Sequence, residues 1–168
     1  MKITQEYLIQ SLELEPLLGE GGLYRNTYRS KAVVRDLKTG QERPAGTCIY
    51  YLLTRENFSH LHSLKGDEIY HFYLGDPVEL LVLEPKGRQE IITLGQNLKE
   101  KMQVQYLVRA HAYQGLRLKP GGSFALLGTT MTPGYDQRDY TLGERDFLLK
   151  QWPAFEKEIK ALTGPLIY

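Results

Sequence analysis

Phe58-Ser59-His60-Leu61-His62-Ser63-Leu64-Lys65-Gly66-Asp67-Glu68-Ile69-Tyr70-His71-Phe72-Tyr73-Leu74-Gly75-Asp76-Pro77 reads as two short strands joined by a turn. Lys65-Gly66-Asp67 supplies the turn, and Gly75-Asp76-Pro77 stops the second run. The same grammar continues in both directions. It predicts strands over 23–29, 47–53, 58–62, 68–74, 78–83, 89–94, 103–108, 113–118 and 123–130, with a hairpin around Lys38-Thr39-Gly40-Gln41. Many short strands at close spacing indicate an all-β sandwich or barrel. Thr4 is a candidate cap for a short helix ended by Pro16, and 144–150 and 153–162 read as two further helices. The expected architecture is a single domain over 1–168, a β core with short N- and C-terminal helices.

Composition narrows the function. The chain has 168 residues, with 21 Lys and Arg against 20 Asp and Glu, a formal net charge of +1. Balanced charge offers no basic field, which argues against nucleic acid as a partner. Mean hydropathy is −0.39, and no apolar run reaches bilayer length, which argues against a membrane partner. The start from Met1 shows no apolar stretch of the leader type, so a cytoplasmic protein is expected. A single cysteine, Cys48, excludes an intrachain disulfide framework and reads as a small buried hydrophobe.

Three of the four histidines fall within the deciding stretch. His60 and His62 are two apart, so on a regular strand both leave the same face. Glu68 opens the next strand beside them. Two imidazoles and a carboxylate resemble a facial triad, with open positions suited to Fe, Mn, Zn or Ni. Alternation puts Glu68, Tyr70 and Phe72 on one face and His71 on the other. His111 or Gln114 could complete the site, but on a regular strand they have opposite parity. The three glycines of Gly19-Glu20-Gly21-Gly22 precede a strand rather than a helix, and read as an irregular turn, not a phosphate loop.

His60, His62, Glu68 and Gly75 resemble the first motif of the cupin superfamily, with one residue too many between His62 and Glu68. Glu20-Gly21-Gly22, Ile49-Tyr50-Tyr51-Leu52-Leu53, Asp67 to Pro77, Tyr113-Gln114 and Pro133-Gly134-Tyr135-Asp136 follow in order. This series resembles the uncharacterised, DUF-type branch sometimes called the fifth cupin-domain family. The resemblance implies a double-stranded β-helix jelly roll, a pocket inside the barrel and a homodimer. Gln114 falls where other cupins place a second-motif metal histidine, and an amide is a poorer transition-metal ligand. Leu18-Gly19 stands where the branch usually has His-Pro, and Ser63 where it usually has Arg.

The leading expectation is a cupin that binds a small polar metabolite, with sugar-type isomerase or epimerase chemistry. His62 would act as general base, Glu68 would orient it, and a tyrosine such as Tyr70 would return the proton. Tyr50, Phe72, Tyr113 and Gln114 are the expected ligand-binding residues. A metal-dependent dioxygenase or isomerase would instead use His60, His62, Glu68 and Gln114. A third possibility is a non-catalytic binding or sensing module.

Overall fold

A computed structural model of the chain describes residues 3–35 and 40–165. Thirteen strands form among them: β1 (Glu15–Pro16), β2 (Leu23–Arg29), β3 (Val33–Arg35), β4 (Glu42–Pro44), β5 (Thr47–Thr54), β6 (Ser59–Ser63), β7 (Asp67–Gly75), β8 (Val78–Leu83), β9 (Gln89–Leu94), β10 (Gln105–Val108), β11 (Tyr113–Leu118), β12 (Phe124–Thr132) and β13 (Thr141–Leu142). Helices α1 (Gln5–Ser11), α2 (Arg145–Gln151) and α3 (Glu156–Ala161) stand at the two ends. No helix among the described residues is long and apolar enough to cross a membrane.

The strands build an antiparallel jelly roll. One sheet runs β1-β2-β5-β12-β7-β10 and the other β13-β6-β11-β8-β9, while β3 and β4 form a separate two-stranded ribbon. The turn expected around Lys38-Thr39-Gly40-Gln41 lies partly outside the described residues, as do Met1 and Lys2. Its flanks pair as a hairpin requires, with Val34 opposite Arg43.

Period-two alternation decides what each strand buries. Leu80 and Val82 of β8 join Tyr51, Leu53, Tyr70, Phe72 and Leu127 in the barrel interior. Leu81 and Leu83 leave the opposite face and meet Leu148, Trp152, Ile159 and Leu162 of the C-terminal segment. Both faces of this strand are therefore covered, which explains its nearly continuous apolar run. On the other sheet, Leu52 and Leu126 pack against Leu8 and Leu14 from the N-terminal segment.

The helix boundaries follow their caps. Thr4 accepts a hydrogen bond from the Tyr7 amide at 3.3 Å, as its capping position requires. The helix ends at Ser11, earlier than Pro16, because Glu13 adopts a φ of 52° and turns the chain. Pro16 instead lies in the edge strand β1, where its missing N–H costs no ladder bond. Pro153 opens a 3-10 turn that leads into α3.

Candidate functional site

Strand β6 is irregular where its histidines lie. His62 pairs with Gln114 of β11 and Ser59 pairs with Leu116, so His60 and Leu61 together oppose Gly115. This is a β-bulge, with two residues facing one. Gly115 suits it, since a Cβ there would stand 3.0 Å from the Ser59 carbonyl oxygen. The bulge breaks the alternation on which the His60–His62 pair was founded. His60 turns toward Phe58, at 6.2 Å between ring centroids, and its Nδ1 lies 3.0 Å from the Leu61 carbonyl oxygen. It is not part of the inward cluster.

His62 remains inside, 1% exposed. Its Nδ1 lies 2.7 Å from the His60 carbonyl oxygen. A carbonyl oxygen can only accept, so Nδ1 carries the proton and donates it. Nε2 lies 3.5 Å from Gln114 Nε2 and 3.8 Å from Glu20 Oε2. The Tyr140 ring stacks on the imidazole at 5.1 Å. The backbone carbonyl, not Glu68, therefore sets the His62 tautomer.

Glu68 projects into the barrel from β7, as alternation requires. It accepts a hydrogen bond from Gln114 Nε2 at 2.6 Å and also bonds Thr129 and Tyr70. Burial raises its carboxyl pKa above the ordinary value, and the nearby charge of Glu20 adds to the rise. Burial also pushes the phenols of Tyr51 and Tyr70 well up, so both hydroxyls keep their protons. Gln114 Oε1 is buried and has no hydrogen-bond partner among the described residues.

Glu20 is the functional residue that sequence reasoning passed over. The Gly19–Gly22 turn delivers it to the site. Gly21 and Gly22 have φ of 101° and 73°, and a Cβ on Gly22 would stand 2.8 Å from the Tyr51 hydroxyl. The Tyr51 hydroxyl donates to the Gly21 carbonyl at 2.8 Å, the Ser59 hydroxyl to Glu20 Oε1 at 2.9 Å, and the His60 amide to the Glu20 carbonyl at 2.8 Å. An acid between glycines in an irregular turn was the available signal.

Glu20 and Glu68 border a cavity of about 360 Å³, while His62 and Gln114 stand behind them and do not line it. Glu20, Glu68, Tyr24, Tyr51, Tyr70 and Tyr135 contribute to its wall. None of the four expected ligand-binding residues, Tyr50, Phe72, Tyr113 and Gln114, lines it; for Tyr50 and Tyr113 the reason is that adjacent strand positions face opposite ways. Tyr50 sits outside the barrel, edge-on to Tyr73 at 6.2 Å, and its neighbour Tyr51 takes the inner place. Tyr113 packs outward against Trp152 at 5.8 Å, while Gln114 points in. Phe72 belongs to the packed interior and does not line the cavity.

The two remaining histidines are also outside. His71 Nε2 is 3.0 Å from Thr130 Oγ1 on the outer face, and Thr130 Oγ1 is 3.3 Å from Cys48 Sγ. His111 occupies a left-handed turn with φ of 68° and is exposed, which removes the parity conflict with Gln114. Cys48 is half-buried, more open than its apolar strand suggested.

The expected metal set does not fit. Among the described residues no three His, Cys, Asp or Glu side chains form a group that could hold a metal ion. The bulge separates His60 from His62, and Gln114 turns its amide nitrogen, which cannot ligate, toward Glu68.

Comparison with known structures places this geometry. A hypothetical protein from Leishmania major shares 29% identity, with a TM-score of 0.88 over 97% of this chain and 100% of that one. A protein from Shewanella oneidensis shares 30% identity, with a TM-score of 0.86 over 98% of this chain and 99% of the other. Oxalate decarboxylase from Bacillus subtilis, at 14% identity, matches 94% of this chain and 39% of its own with a TM-score of 0.54, a likeness of fold alone. No curated protein matches the chain. The family model described as Cupin superfamily (DUF985) matches residues 6–143, and the chain belongs to that family.

Proposed function

We propose that the barrel cavity binds a small polar metabolite and moves a proton on it, in a reaction of the isomerase or epimerase type. The observation that carries this reading is the gathering of unlike proton carriers at this end of the barrel, with Glu20, Glu68 and Tyr70 at the cavity wall and His62 behind Glu20. His62, its Nε2 3.8 Å from Glu20 Oε2, stands behind the wall on one side. Glu68 stands on the other, its carboxyl held toward the protonated form by burial and hydrogen-bonded to Tyr70.

Groups whose environments push their proton affinities apart divide into acid and base. Glu20, at the cavity wall, accepts the proton from a carbon beside a carbonyl, and His62 behind it stabilises or takes up that proton. Glu68 and Tyr70 return a proton from the other side. His62 thus acts through Glu20, and the His60 carbonyl orients it. The test is proton exchange. A bound ligand incubated with the chain in D2O should gain deuterium at one carbon, and His62→Ala should slow exchange about 10²–10⁴-fold. Binding without exchange in the wild type would overturn the catalytic reading and leave a sensing module.

We also propose self-association. Among the described residues the β3–β4 ribbon pairs with no other strand, and Val33 is 58% exposed on it. Such a ribbon supports a crossing contact with a second copy.

A further inference from the structure

We infer that the cavity takes a small organic cation, an ammonium-bearing metabolite, and disfavours anions. The inference rests on the cavity being a ligand site, and it names the substrate class. Three carboxylates, Glu15, Glu20 and Glu68, contribute to the wall, and no Lys, Arg or His does so among the described lining residues. The cationic side chains near this end of the barrel are engaged elsewhere. Arg43 pairs with Asp139, and Arg138 pairs with Asp136. Lys65 reaches the Arg138 carbonyl at 3.4 Å.

The rest of the wall suits the same occupant. Tyr24, Tyr51, Tyr70 and Tyr135 contribute aromatic side chains to the wall. Aromatic faces attract ammonium groups, more strongly where water is excluded. Behind the wall, Gln114 Nε2 donates to Glu68 at 2.6 Å and holds that carboxyl at the cavity. A carboxylate or phosphate ligand would place another negative charge beside Glu20 and Glu68, and the charge of Glu20 already disfavours ionisation of Glu68. A cation would pair with Glu20 and favour the ionised form of Glu68.

Titration calorimetry of the full chain with two isosteric series tests the charge assignment. One series is choline, 3,3-dimethylbutanol and 3,3-dimethylbutyrate; the other is benzylamine, benzyl alcohol and benzoate. In each, the cation should bind about tenfold or more tighter than its neutral partner, a difference of about 1.4 kcal/mol. The carboxylate should bind weakest. Glu20→Gln should lower affinity for the cations and leave that for the alcohols within about twofold. Carboxylates that bind as tightly as the amines would overturn the inference while leaving the cavity a ligand site. Failure of every member of both series to bind would overturn the cavity reading itself.

Discussion

Glu68 is a carboxyl taken out of water and set near a second carboxyl, Glu20. Its ordinary pKa is 4.5 and its folded value is higher, so between the two the folded state holds the proton more tightly than the unfolded chain. Its contribution to stability is complete below 4.5 and is lost as pH rises through the folded value. Glu68→Gln should therefore show a flatter dependence of Tm on pH across this window than the wild type. Thermal unfolding of both proteins measures it, and parallel curves would contradict the assignment. At this scale the sequence was readable where alternation is strict: Glu68 and Tyr70 face inward as expected. It misled where adjacent aromatics compete for one wall, as with Tyr50 beside Tyr51. It failed at His60, because a single inserted residue in a pairing register leaves no mark in composition or spacing.

The Gly19–Gly22 turn depends on backbone geometry that an L side chain rarely adopts. Gly22→Ala would place a methyl in the left-handed region and against the Tyr51 ring. The expected cost is about 1–3 kcal/mol, read from denaturant midpoints, together with weaker binding of whatever ligand occupies the cavity. Unchanged stability and binding would show that the turn does not need its glycine. The C-terminal helices make a contrasting element. Leu148 is fully buried between α2 and the outer sheet face. Leu148→Ala should cost about 2–5 kcal/mol while leaving ligand affinity within about twofold, since the cavity lies on the other side of that sheet. The strand ends were readable because Gly and Pro punctuate them. The pairing of β6 across the bulge was not, since register emerges only when two strands meet.

For the whole molecule, closure of the barrel joins residues distant in the chain. The buried pair of Arg43 and Asp139 ties the β3–β4 ribbon to the segment carrying Tyr135 and Gln137. Arg43→Ala would leave the Asp139 carboxylate, 3% exposed, with Lys65 at 4.0 Å as its ion-pair partner among the described residues. Breaking such a pair costs about 3–5 kcal/mol, and thermal unfolding would read the loss. Light scattering should report twice the 19.3 kDa chain mass, and a single-chain mass at micromolar concentration would contradict self-association. The overall architecture was legible because turns and alternation repeat along the chain. Glu20 was hidden because it meets its partners only in three dimensions. Its turn is anchored to Tyr51, to Ser59 and, through the Gly19 carbonyl at 2.9 Å, to Tyr140. Those anchors come from three separate regions of the chain, so the acid reaches its working position only after they have assembled. Competence is then a late event in maturation: on refolding, recovery of binding should trail recovery of tertiary order, and mild denaturant should silence the site before it melts the shell.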